Sequence, residues 1–210
     1  MNKIWEYPTN PKHWPDSTIY IIGGGYSVST YDYMSKINSE KKKDPSIKVL
    51  GINMAYTLKP TKRTQLCDAV IIGDNKFYKD QRLGLREFKG LKFMCGNMLM
   101  GGNHQPIPVD GGYLRLRKTN QSFTMQKGRI GWDGSTGIAA LNLCCQLGAS
   151  RIVLVGYDMN IQNPQQTNWH KNNVHEKITG KRVRPTYYEK VKTRIEDIVE
   201  PQLSKLSIGN

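Results

Sequence analysis

Short apolar runs that stop at glycine or a polar residue recur along this chain. Residues 18–22 read "TIYII" before three glycines, and the form returns in "KVLGIN" at 48–53, "AVIIGD" at 69–74, "GLKFMC" at 90–95 and "RIVLVGYD" at 151–158. Runs this short, rich in β-branched side chains and bounded by turn residues, predict strands, and unbroken apolarity predicts burial on both faces. Helical spacing fills the gaps. "SVSTYDYMSKIN" after the glycines predicts a first helix capped by serine or threonine, and "GSTGIAALNLCCQLGA" places Ile138, Leu141, Cys144, Cys145 and Leu147 on a helical repeat closed by Gly148. "TYYEKVKTRIEDIVEPQLSKL" predicts a last helix ended near Pro201.

Strand, helix and strand in this order predict an α/β fold: a Rossmann-like, mostly parallel sheet with helices on both faces. The pattern fails over residues 96–130, where glycine pairs and prolines predict an irregular insertion with a hairpin near "YLRLRK". Residues 160–185 are polar and turn-rich, hence a long loop. Residues 1–17, with Pro8, Pro11 and Pro15 among Trp5, Tyr7 and Trp14, predict an extended arm, leaving 18–210 as a single α/β nucleotide-binding domain.

In a parallel sheet the strand ends share one rim, which is where ligands of such folds bind. Gly23, Gly24, Gly25 and Ser27 end the first strand; Asn53, then Asp74 with Asn75, end the next two; Ser135, Thr136 and Gly137 open the long helix; Asp158 ends the strand after it. Glycines let backbone amides approach a phosphate, and a helix start directs partial positive charge at it. For each there is a plain structural alternative: a tight turn for the glycines, an N-cap for Ser135 and Thr136, an Asx turn for the asparagines and aspartates. The catalytic candidates are His170 and Asp158: His170, in "TNWHKNN", as the base because an imidazole titrates near neutrality, with His175 as its competitor, and Asp158 as a carboxylate that accepts from an acceptor hydroxyl.

Composition narrows the partners. The net charge of +14, from 31 basic and 17 acidic residues, predicts attraction to phosphate, in nucleotides or in nucleic acid. Basic clusters lie near Lys42, at residues 59–63, 115–118 and 177–185. Four cysteines without CxxC spacing exclude a zinc module, so no residue is assigned to a metal, and they pack as small hydrophobes. The absence of a long apolar run and of a leader at the amino terminus predicts a cytoplasmic protein without a membrane span.

"IIGGGYSV", "GINMAY", "AVIIGDNKFY", "GSTGIAALNLCCQLGASRIVLVGYDM" and a downstream histidine, in that order, resemble the sialyltransferase-like superfamily, and within it phage-encoded members. That superfamily groups bacterial sialyltransferases, motility-accessory-factor glycosyltransferases and 6-hydroxymethylpterin pyrophosphokinase-like proteins. The resemblance implies that Gly23, Gly25 and Ser27 line phosphates, Asn53 and Asp74 the sugar or ribose, Ser135, Thr136 and Gly137 the nucleotide, and that His170 takes the acceptor proton. The bacterial sialyltransferases have asparagine and proline where this chain has Gly24 and Tyr26, so the resemblance leaves the donor open.

The expected function is a nucleotide- or nucleotide-sugar-binding transferase, a glycosyltransferase acting on an acceptor hydroxyl, with the nucleotide-sugar as co-substrate. Two alternatives stand beside it. One is an ATP-dependent, pyrophosphokinase-like enzyme holding Mg²⁺ through Asp74 and Asp158; the other is a non-enzymatic, basic nucleic-acid-binding module.

Overall fold

The structure, a computed structural model, describes residues 13–95, 113–121, 123–126, 128–132 and 134–158, together with residues 192, 193 and 196. Among these residues seven strands form one sheet: β1 (Ser17–Ile22), β2 (Lys48–Ile52), β3 (Ala69–Ile72), β4 (Leu91–Cys95), β5 (Tyr113–Thr119), β6 (Arg129–Gly131) and β7 (Ala149–Val155). Their order is β6-β5-β4-β3-β2-β1-β7, and every neighbouring pair is parallel. The five strands predicted from apolar runs therefore lie side by side, all with their carboxyl ends on one rim. Growth runs outward from β1 to β6, and β7 returns to the other side of β1, so the direction of winding switches between β1 and β7.

Alternation along the strands builds two cores. Ile19, Ile21, Leu50, Ala69, Ile71, Phe93, Cys95 and Leu116 face α4 (Thr136–Leu147). On the other face Ile22, Val49, Val70, Ile72 and Met94 meet Val28 of α1 (Ser27–Thr30), Ile37 of α2 (Tyr33–Lys43), the 3-10 turn Asn53–Thr57, and Phe77, Tyr78 and Leu85 of α3 (Asn75–Glu87). These buried runs are apolar on successive residues because both faces of a parallel sheet are covered. α4 ends at Gly148, whose φ of 92° is the left-handed conformation that a helix stop of this kind requires. There the chain entering β1 is tied down: the Trp14 N–H donates to the Leu147 carbonyl and the Asp16 N–H to that of Gly148, each at 2.9 Å.

Four expectations change. β7, whose unbroken apolar run predicts burial on both faces, stands at the end of the strand order with only Val155 buried and Leu154 exposed. The first helix is two: α1 stops at Thr30, and Asp32 starts α2 by accepting a hydrogen bond from the Ser35 N–H. The cap of α1 is not a local serine or threonine, since Tyr26 stands at its N-cap and makes no side-chain cap bond. The stretch expected to be irregular contributes β5 and β6, and "YLRLRK" is a parallel strand paired with β4 and β6 in place of a hairpin. The rest of that stretch, the polar loop, residues 1–12 and most of the last helix lie outside the described residues. Among the described residues no helix is long and apolar enough to cross a membrane.

Candidate functional site

The three glycines after β1 are spent on joining β1 to β7. The Gly23 N–H donates to the Val155 carbonyl and the Gly25 N–H to that of Gly156, both at 2.8 Å, so the parallel ladder continues past the strand ends. A Cβ at position 25 would lie 2.6 Å from the Gly156 carbonyl oxygen and 2.7 Å from the Asp158 carboxylate, contacts no other residue type could make. Asp158 in turn caps α1 from a distant part of the chain. One of its oxygens accepts from the Ser27 N–H at 2.8 Å, and the other accepts from the Ser27 hydroxyl. The amides of Gly23, Gly25 and Ser27, which the sequence suggests as a phosphate cradle, are thus committed within the protein.

A second group of residues gathers along the same rim over β2, β3 and β5. Asn53 leaves β2 with a φ of 49°, and its side chain lies 3.4 Å from the Gly73 N–H. Asp74 is the N-cap of α3, accepting from the Phe77 N–H at 2.6 Å, and Asn75 is the first helical residue. Ser135 is buried and caps α4 through a 3.1 Å bond from the Gly137 N–H. The Thr136 side chain comes down on Gly73, where a Cβ would collide with its hydroxyl and lie 2.8 Å from the Trp132 ring. Among the described residues the Thr136 hydroxyl has no hydrogen-bond partner.

Lys118 completes this group. It sits near the end of β5, two residues beyond Leu116, the residue paired with the last residue of β4. Its side chain crosses the end of β4, donates 2.7 Å to the Gly73 carbonyl, and places its ammonium 3.2 Å from the centre of the Trp132 ring. Burial lowers its pKa from the ordinary lysine value, with Cys95 and Asp74 acting the other way. Burial likewise pushes the Cys95 thiol up to about 12.

Tyr157 separates the two groups. Its hydroxyl donates to the Gly137 carbonyl at 3.1 Å, and its ring would lie 3.2 Å from a Cβ at position 23. Burial raises its pKa well above the ordinary tyrosine value, so it stays a neutral donor.

The parallel sheet therefore brings every predicted position in the described part of the chain to one rim: Gly23, Gly24, Gly25, Ser27, Asn53, Asp74, Asn75, Ser135, Thr136, Gly137 and Asp158. His170 and His175 lie outside the described residues. Asp74 and Asp158 do not share a place on that rim. They follow β3 and β7, which stand three strand spacings apart, ~14 Å, too far for both carboxylates to hold one Mg²⁺. Among the described residues no cluster of three or more metal-ligating side chains exists, and Cys67, Cys95, Cys144 and Cys145 are all free.

Sequence reading missed Lys118 and Trp132. Lys118 figures there only as a member of the basic cluster "RLRK", read as general attraction to phosphate and not as a residue of the rim. What could have singled it out is its spacing from Leu116, which puts it on the core-facing side of a strand. No protein-family model, no curated protein and no solved structure matches the chain.

Proposed function

We propose that this protein binds a nucleotide or nucleotide-sugar at the carboxyl-end rim of its sheet and transfers the glycosyl or a related group to an acceptor hydroxyl. The observation that carries the reading is the place of Thr136. Its hydroxyl, which has no hydrogen-bond partner among the described residues, stands at the first turn of a 12-residue helix, directly over the end of β3, where the ligands of parallel sheets are held. In this reading the base and ribose extend along Asn53 and Asp74, and the phosphates meet the start of α4. His170 takes the acceptor proton as the acceptor oxygen attacks the sugar carbon and the phosphate leaves with the nucleotide.

The pyrophosphokinase alternative loses support from the separation of Asp74 and Asp158, which leaves it without the shared metal pair it needs. The nucleotide reading is tested by a thermal-shift screen of nucleotides and nucleotide-sugars, with and without Mg²⁺, on the wild type and on Thr136→Val. Valine conserves shape and removes only the hydroxyl. The expected outcome is a ligand-dependent rise in melting temperature for the wild type and affinity weaker by ~0.5–1.5 kcal/mol in the variant. Unchanged affinity with lowered stability would make Thr136 a structural residue alone.

A further inference from the structure

We propose that Lys118 is the cation that holds the ligand's phosphate, at a point shared by its ammonium, the Thr136 hydroxyl and the start of α4. The inference rests on the nucleotide reading above and adds to it the residue that recognises the charged part of the ligand.

The first observation is position. Leu116 is buried in the core that faces α4, and Lys118, two residues on, projects to the same side of the sheet. Since β4 ends at Cys95, opposite Leu116, nothing in β4 stands between Lys118 and Gly73. The 2.7 Å bond to the Gly73 carbonyl and the 3.2 Å approach to Trp132 fix the ammonium there. Trp132 and Thr136 both pack on Gly73, so the amine, the indole, the hydroxyl and the end of β3 form one cluster.

The second observation is charge. An ammonium has three N–H groups, and the Gly73 carbonyl takes one. The Trp132 ring offers a polarised face with no countercharge. Among the described residues no carboxylate lies within ion-pair distance of Lys118, and the nearby Asp74 carboxylate is engaged at the N-cap of α3. The first turn of α4 carries no acidic side chain that would offset its own partial positive charge. Lys118 is half-buried, so water screens it poorly, and its lowered pKa records that cost. A cation held partly away from water, with no anion beside it among the described residues, is a costly arrangement, and a phosphate would offset the cost. Phosphate also matches the donors in number, since its oxygens accept together from an ammonium, a hydroxyl and a helix start.

A purely structural lysine would have the same packing on Trp132, so the test must separate charge from shape. Wild type, Lys118→Met and Lys118→Gln are titrated calorimetrically with inorganic pyrophosphate, with nucleoside diphosphates and with the matching nucleosides. Methionine keeps the apolar stem on the indole; glutamine keeps a donor for the Gly73 carbonyl; neither keeps the charge. The expected result is wild-type binding of pyrophosphate and of a nucleoside diphosphate, with affinity at least ~30-fold weaker in both variants, as the loss of a charged contact implies. Nucleoside binding should change by less than threefold.

If either folded variant binds pyrophosphate within threefold of wild type, the assignment of Lys118 is overturned. Wild-type binding of nucleotides that survives both substitutions overturns Lys118 and leaves the nucleotide reading standing. Pyrophosphate binding that depends on Lys118, without binding of any nucleotide, upholds the phosphate site and overturns the nucleotide reading. Absence of binding to the wild type by every probe overturns both.

Discussion

At the scale of single residues, Lys118 carries a cost that pH should expose without any ligand. Its pKa in the folded protein lies below the ordinary value of 10.5, with burial as the main cause. Between the folded value and 10.5 the unfolded chain binds more protons than the native one, so this residue's contribution to stability rises with pH through that window. Below the folded value the penalty is fully present; above 10.5 it is gone. Buried thiols run the other way. Cys67, Cys95 and Cys145, pushed up to about 12 from 9.0 by burial, hold protons that the unfolded chain releases, and they cost stability as pH rises above 9.0. The comparison therefore has to be wild type against Lys118→Met at matched pH. Denaturant unfolding should show the wild type gaining on the variant as pH climbs toward 10.5 and then levelling; a difference flat in pH would mean that the amine is not desolvated.

At the scale of elements, α4 does more than cover one face of the sheet. Two of its buried residues are polar, Asn142 and Gln146, and both hold the chain around β6. The Asn142 carboxamide oxygen accepts from the Gly131 N–H at 2.6 Å and the Thr124 N–H at 3.2 Å, while its nitrogen donates 2.8 Å to the Thr124 carbonyl. Gln146 donates to the carbonyls of Thr124 and Arg129. β5 and β6 are parallel neighbours joined only by residues 120–128, shorter than the roughly dozen residues such a crossing usually takes. A three-residue strand so connected needs partners outside the sheet, and α4 supplies them. Asn142→Leu keeps the volume and removes the bonds. At ~1–3 kcal/mol for each buried backbone group left unpaired, it should lower unfolding free energy by at least ~2 kcal/mol. Amide exchange should quicken at Gly131 before it quickens in β1; uniform protection would deny α4 this role.

The same elements explain what was legible in the sequence. β1, β2, β3 and β4 bury side chains on both faces and announce themselves as continuous apolar runs; β7 has a run of the same kind although only Val155 of it is buried. β5 is written "YLRLRKT", with only Tyr113 and Leu116 buried, and β6 is three residues long, so neither carries that signal. Burial on both faces was equally the clue to the rim, because it implies parallel strands and parallel strands share their carboxyl ends. The local wiring was not legible. Asp158 meets Ser27 across 131 residues, and Lys118 meets Gly73 across 45, contacts that no local spacing encodes.

At the scale of the whole molecule, the charge of +14 has to be weighed against where it lies. Lys41, Lys42 and Lys43 close α2 and so lie toward the amino ends of the strands, where Lys41 pairs with Asp68 at 2.7 Å. Lys118 stands at the opposite rim. These two basic groups among the described residues are separated by the length of the strands and do not form one continuous patch. The two kinds of anion should therefore respond differently to salt. Duplex DNA gathered by scattered surface charge releases a counterion for each phosphate neutralised, and a contact with six or more phosphates loses ~10³-fold in affinity between about 50 and 200 mM salt. A nucleotide held by one ammonium, a hydroxyl and a helix start involves about one such charge and should weaken only about fourfold over the same range. Fluorescence titrations of a labelled duplex and of a labelled nucleoside diphosphate, run across that salt range, should give a steep line for the first and a shallow one for the second. Duplex binding that persists undiminished at the higher salt would restore the nucleic-acid-binding alternative over the nucleotide site.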